Sequence, residues 1–161
     1  MPHGLASQKV IEQGDLVTLD FGAVVDGYHA DMTRAVAIGE IDGELRTMFD
    51  TVLEAQETGL HALAPGKDGR DIDASVREVL SRKDLEEHFP HGLGHGVGLE
   101  IHEGPRLSKR ISQTLEPGMT VTVEPGVYIP GRGGVRIEDL AVITEDGYER
   151  LSHSDKSFVQ V

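Results

Sequence analysis

Two stretches of this chain, one early and one late, are written to the same pattern. Glu12-Gln-Gly-Asp-Leu-Val-Thr-Leu-Asp20-Phe-Gly22 laid over Glu116-Pro-Gly-Met-Thr-Val-Thr-Val-Glu124-Pro-Gly126 aligns glutamate, glycine, valine, threonine, an acid and glycine in order. Gly27 then meets Gly131 at the same offset, and three extra residues in the second turn bring Asp31 onto Glu138. The match is a weak internal repeat. The identities are few, and the weight comes from the acids: Asp, Asp, Glu and Glu fill the duplicated positions on strands that are otherwise apolar. Burying four carboxylates together is prohibitive through repulsion and desolvation unless cations compensate, and two divalent ions would do so. The competing reading makes Asp20 and Asp31 ordinary turn or surface acids.

A nitrogen ligand has a ready source. Residues 91–102 read His-Gly-Leu-Gly-His-Gly-Val-Gly-Leu-Glu-Ile-His, three of the eight histidines interleaved with glycine. Four alternate glycines would each cost a helix about 1 kcal/mol relative to alanine, so the stretch predicts a strand or extended loop with His91 and His95 on one face. Asp20, Asp31, His95, Glu124 and Glu138 then form a plausible dinuclear site with two carboxylates bridging the metals.

The intervening chain reads as scaffold. Residues 16–38 predict strands around an Asp26-Gly27 hairpin turn that folds Asp20 and Asp31 toward each other. From Gly43 the period changes to 3.6, with Leu45, Met48, Phe49, Val52, Leu53, Leu60 and Leu63 forming the stripe of an amphipathic helix that ends before Pro65-Gly66. A second helix is expected behind Asp71 or Asp73 as N-cap, carrying Ile72, Val76, Val79 and Leu80 and fading into a solvated charged stretch; His61 and His88 read as surface residues. Residues 105–113 read as a polar connection. Strands follow at residues 119–124, 127–129, 135–138 and 140–143, split by the turn at residues 130–134 and closed by Asp146-Gly147.

Composition excludes several classes. With 15 Lys+Arg against 28 Asp+Glu the formal charge is −13 and no basic run exists, which argues against nucleic acid and anionic membrane as partners. The absence of cysteine rules out a disulfide framework, a thiolate nucleophile and a zinc–cysteine site. No apolar run approaches the roughly 20 residues of a membrane span, and a cytoplasmic soluble protein is the default expectation. At 161 residues the chain suits a single domain.

Leu16-Val-Thr-Leu-Asp-Phe-Gly22, Ala30-Asp-Met-Thr-Arg34, His91-Gly-Leu-Gly-His-Gly96, Glu100-Ile-His-Glu103, Glu124-Pro-Gly-Val-Tyr128 and Gly133-Gly-Val-Arg-Ile-Glu-Asp139 together resemble the pita-bread metallopeptidases, the superfamily of methionine aminopeptidase, aminopeptidase P and prolidase. The resemblance runs over residues 2–144 and implies an α+β fold: a curved antiparallel sheet flanked by helices, in two pseudo-symmetric halves. Residues 1–161 would be one catalytic domain, truncated at the N-terminus relative to the family. Among its branches the segments around Glu124 and His91 look most like Xaa-Pro dipeptidase (prolidase) or aminopeptidase P. A methionine aminopeptidase-like peptidase, a non-catalytic pita-bread binding module and a dinuclear phosphohydrolase are the alternatives.

Carried over residue by residue, the resemblance makes Asp20 the chelator of one metal, Asp31 and Glu138 the bridges, and His95 and Glu124 the ligands of the second. Glu124 would also shuttle a proton. His102 resembles the histidine that steadies the substrate or the tetrahedral intermediate, His91 a substrate-side histidine, and His3 the upstream histidine near the scissile nitrogen. Arg136 resembles the arginine that orients the carboxylates. Mn(II) is the first choice of metal, with Co(II), Zn(II) and Fe(II) as alternatives, and a proline-containing peptide is the substrate. Leading elements of the family fold lie ahead of the Pro2-His3-Gly4 segment. The expectation is therefore apolar surface exposed beside residues 16–25 and around the long helix, and self-association as a homodimer.

Overall fold

The computed structural model of the chain describes residues 8–161. Its first unit is a strand pair with a ribbon set into the connection: β1 (Leu16–Phe21) lies antiparallel to β4 (Met32–Ala37), with β2 (Val24–Val25) and β3 (Tyr28–His29) between them. Asp26 at φ 51° and Gly27 at φ 87° both occupy the left-handed region, as a two-residue hairpin turn that matches strand twist requires. Asp20 pairs across with Thr33, so Asp31 stands just ahead of the returning strand.

The same plan recurs later in the chain. β7 (Thr120–Val123) pairs antiparallel with β10 (Asp139–Ile143), and the ribbon β8 (Gly126–Ile129) and β9 (Gly133–Arg136) is set between them. With β5 (Gly94–Gly96), β6 (Glu103–Leu107) and β11 (Tyr148–Arg150) these build an antiparallel five-stranded sheet in the order β11-β10-β7-β5-β6. The first sheet gains one parallel strand, β12 (Val159–Gln160), on the far side of β4. An antiparallel bridge between Thr33 and Glu138 joins the two units, with the Glu138 N–H donating to Thr33 O at 3.1 Å. That bridge brings the duplicated acids to one seam.

Two helices cover the sheet. α1 (Gly43–His61) starts behind Asp42, whose carboxylate accepts from Leu45 N–H at 2.8 Å. Its stripe Leu45, Met48, Phe49, Val52 and Leu60 is buried, with Leu63 buried just beyond the end and Leu53 half-buried. Each such side chain contributes about 1.5–3 kcal/mol by leaving water, so α1 is held by the core it shares with Val123, Val135 and Ile137 rather than by propensity. α2 (Gly69–Ser81) is capped by Asp68, not by Asp71 or Asp73 as the sequence suggested. The three aspartates compete for the same role, and Asp73 is fully buried and engaged elsewhere.

Two further expectations change. The polar connection begins at Ser108, because Pro105 and Leu107 are buried and residues 103–107 pair with β5. Exposed large apolar residues include Leu19, Phe21, Val24, Val25 and Tyr28 beside the first strand pair, with Val10, Ile11, Leu99, Ile111, Leu151, Val159 and Val161 elsewhere, whereas none belongs to α1. The stripe of α1 is fully used by the core.

Candidate metal centre

The seam between the two units gathers the acids in a cavity of about 460 Å³ lined by Asp20, Asp31, His95, His102, Glu124, Arg136 and Glu138. Within it Asp31, His95 and Glu138 each present a ligand atom, all lying within 4.8 Å of one another. His95 Nε2 is 3.1 Å from Glu124 Oε1 and 3.8 Å from Asp31 Oδ2. Asp20 stands apart. Its side chain is about half exposed, 49% on the relative scale, and its carboxylate takes a hydrogen bond from Arg136 Nη2, the cation within its reach.

The histidine stretch reaches this cavity because glycine lets strands close on it. A Cβ at Gly94 would sit 1.9 Å from Thr122 O, and one at Gly96 would sit 2.0 Å from Gly104 O. β5 is thus pressed between β7 and β6 where any side chain would collide with backbone. Thr122 Oγ1 accepts from His95 N–H at 3.1 Å and donates to Glu124 Oε1 at 3.2 Å, tying imidazole and carboxylate to one hydroxyl.

Three observations test whether divalent cations suit these residues. Glu138 Oε2 accepts from Thr33 Oγ1 at 2.6 Å, but Oε1 is buried with no hydrogen-bond partner among the described residues. A buried carboxylate oxygen left unpaired costs about 1–3 kcal/mol or more, and a cation removes that cost. His95 Nδ1 lies 3.0 Å from Gly96 O, so Nδ1–H donates there and Nε2 faces two carboxylates. A lone pair aimed at anions requires a proton or a metal between them. Finally, the ionisations compete. Burial, then the charges of Glu124 and Asp31, push Glu138 well above the ordinary glutamate range, and burial together with Asp20 and Glu124 raises Asp31. Burial also opposes the Glu124 anion, yet the hydrogen bond and charge of His95 outweigh it and hold that carboxyl low; His95 is raised in return. The donor set of four carboxylates and one imidazole fits hard or borderline divalent ions.

Arg136, 5% exposed, organises one wall. Its Nε donates to Thr33 Oγ1 at 3.1 Å, its Nη1 to Tyr128 OH at 3.1 Å and its Nη2 to Asp20. His91 Nδ1–H points at Gly92 O, 2.9 Å away, which leaves Nε2 to accept from the Tyr128 hydroxyl at 3.2 Å. His91 therefore opens on a second cavity of about 280 Å³, shared with His95, His102 and Glu124. His102 is exposed, with its ring edge-on to His95 at 4.4 Å between centroids, and it lines both cavities. His3 lies outside the described residues.

Sequence reasoning passed over Thr33, Thr122 and Tyr128. All three stand inside or beside the motifs quoted above, and their position next to ligand-type residues was the available signal. No helix among the described residues is long and apolar enough to cross a membrane.

Residues 1–145 match the family model for metallopeptidase family M24. The Xaa-Pro dipeptidase of Pyrococcus furiosus is 45% identical over 159 residues, which is 99% of this chain and 46% of that protein. The structure of an Xaa-Pro dipeptidase from Bacillus anthracis superposes with a TM-score of 0.98 at 51% identity, covering 100% of this chain and 45% of that one. An X-Pro aminopeptidase from Thermotoga maritima superposes at 0.96 with 45% identity, covering 100% and 46%. The chain thus spans less than half the length of these relatives.

Proposed function

The chain belongs to metallopeptidase family M24, and from that premise we propose that it hydrolyses the bond preceding proline in an Xaa-Pro peptide, as a dipeptidase or aminopeptidase using two divalent ions. The observation that carries this reading is the buried Glu138 carboxylate, grouped with Asp31 and His95 and left with one oxygen that has no hydrogen-bond partner among the described residues. Peptidases named for Xaa-Pro substrates, at 45–51% identity, support the substrate class.

In this reading Asp31, Glu138, His95, Glu124 and Asp20 would hold the ions, Asp31, His95 and Glu138 being the three whose ligand atoms already lie together. The ions would supply a hydrolytic water of lowered pKa and polarise the scissile carbonyl. Glu124, whose carboxylate lies 3.1 Å from His95 Nε2, would accept the water proton and pass it toward the leaving nitrogen. His102, exposed at the junction of both cavities, donates to the developing oxyanion. His91, steadied by Tyr128, holds the substrate from the second cavity, and His3 is assigned to the scissile nitrogen side. Arg136 keeps Asp20 and Tyr128 in place. Mn(II) is the proposed ion, ahead of Co(II), Zn(II) and Fe(II); the cytoplasm is the proposed compartment and a homodimer the proposed assembly.

Thermal melts test the centre directly. Protein stripped by chelator should melt lower than the same protein with Mn(II), and titration calorimetry should approach two ions per chain, because mass action stabilises whatever the folded state binds. A melting temperature indifferent to chelator and to Mn(II) would sink the dinuclear reading.

A further inference from the structure

The second helix carries a buried ion pair that the proposed chemistry does not use. Asp73 is fully buried and Arg77 is 8% exposed, one turn apart on the same face of α2. Asp73 Oδ2 accepts from Arg77 Nε at 2.7 Å, while Oδ1 reaches out of the helix to accept Leu93 N–H at 3.0 Å. Arg77 Nη2 donates to His91 O at 2.6 Å and Nη1 to Phe89 O at 3.0 Å, with the guanidinium lying 4.3 Å over the Phe89 ring. Arg77 Nη1 also donates to the half-exposed Glu86 Oε1 at 3.1 Å, and the buried Asp73–Arg77 pair holds the main chain at three alternate residues, 89, 91 and 93, on the run that enters β5.

A buried ion pair is weak evidence for stability, since desolvation of two charges often exceeds what their attraction returns. Its distinctive product here is geometry. The planar fork of arginine fixes two carbonyls at once, which the single ammonium of lysine cannot do. The hold also extends beyond the segment it touches, because Leu93 O accepts Glu124 N–H at 2.8 Å. Asp73 is thus two hydrogen bonds from the backbone of the candidate proton shuttle, and Arg77 is one bond from the peptide that carries the His91 ring between Phe89 and Tyr128.

We infer that Asp73 and Arg77 are positioning residues that set the His91 ring and the Glu124 main chain from behind the sheet. The grip itself stands on the backbone contacts, whereas its consequence for metal rests on the proposed function above. Supporting groups of this kind typically cost about 10–100-fold in metal affinity when altered.

The test compares Arg77→Lys and Asp73→Asn with Val79→Ala, a buried apolar truncation on the same helix that removes no hydrogen-bonding group. Amide exchange, the ring resonances of 15N-labelled histidine and the Mn(II) dissociation constant are measured on each full chain. Arg77→Lys should accelerate exchange at Leu93 and Glu124 by about tenfold, displace the His91 ring signal and weaken Mn(II) about tenfold. Val79→Ala should lower the melting temperature while leaving all three in place. If Arg77→Lys and Val79→Ala give the same pattern, the pair is merely structural and the inference fails. If neither polar variant folds, the unmodified protein still decides: Leu93 must be among the slowest-exchanging amides, and fast exchange there overturns the grip. Should the unmodified protein bind no Mn(II), the proposed function fails while exchange and ring signals continue to test the clamp. Binding of Mn(II) with exchange unmoved by Arg77→Lys removes the clamp alone.

Discussion

Glu138 is the residue on which the electrostatics of the seam turn, since it is buried, half-satisfied by Thr33 and crowded by two other anions. Its folded pKa is raised, as is that of Asp31, so each keeps a proton in the folded state that the unfolded chain releases near the ordinary carboxylate value of about 4. The folded state then binds more protons than the unfolded one, and stability falls as pH rises through the raised values. His95 acts in the same direction, because the stability from its raised pKa is present below the ordinary imidazole value and lost above the folded one. Glu124, held low, works oppositely and matters only as pH drops below its ordinary range. Metal-free protein should therefore melt lower as pH climbs from about 5 to about 8, Mn(II) should flatten the curve, and Glu138→Gln should flatten it without metal. Calorimetry in chelator across that range decides, and a melting temperature that rises over it would contradict the assignment. The residue types at this seam were legible in the sequence, because a repeated acid on an apolar strand is hard to place anywhere but against a cation. Their partners were not. The turn of Asp20 onto Arg136 and the Thr33 hydroxyl follow from packing across 116 and 103 residues of sequence, and the hydroxyls of Thr122 and Tyr128 reach His95 and His91 across 27 and 37, which no local pattern encodes.

At the scale of elements, periodicity located α1 and the strands because one face of each is buried, whereas helix starts depended on competition among similar residues. Asp68 caps α2 since its carboxylate also gathers Ser112 and Gln113 N–H from the loop packed on it, while Asp73 is drawn inward by Leu93 and Arg77. In the sequence the glycines of the histidine stretch argue against a helix, and in the structure those of β5 sit where neighbouring strands leave no room for a Cβ. Gly94→Ala would place that atom 1.9 Å from the Thr122 carbonyl oxygen, which belongs to a strand fixed by pairing on both sides. Backbone cannot yield there as a flexible side chain would, so the expected destabilisation is about 3 kcal/mol, the upper part of the overpacking range. Gly147→Ala, where nothing lies within 4 Å, should stay within about 0.5 kcal/mol of the parent. Urea unfolding of both variants makes the comparison, and equal midpoints would show that β5 can shift away from β7.

At the scale of the whole molecule, two opposing properties govern association. Leu19, Phe21, Val24, Val25 and Tyr28 on the first strand pair and its ribbon, joined by Leu99, expose large apolar side chains, with Val25 at 67% and Tyr28 at 63%. Exposed apolar side chains of that kind on a strand pair and its ribbon invite a partner both through the hydrophobic effect and through unpaired strand edges. Against it stands the formal charge of −13, which makes two copies repel at long range. Salt screens the repulsion, with a Debye length falling from roughly 30 Å at 0.01 M to about 8 Å at physiological strength, and leaves the apolar attraction in place. Self-association, most simply to a homodimer, should accordingly strengthen with added salt, the reverse of an ion-paired interface. Val25→Lys, at an exposed ribbon position that does not line the metal cavity, should return the protein to monomer and leave the Mn(II)-dependent melting shift unchanged. Sedimentation equilibrium at low and physiological ionic strength measures it, and a monomer at both strengths would mean that the ribbon face is too small or too mobile to hold a second copy.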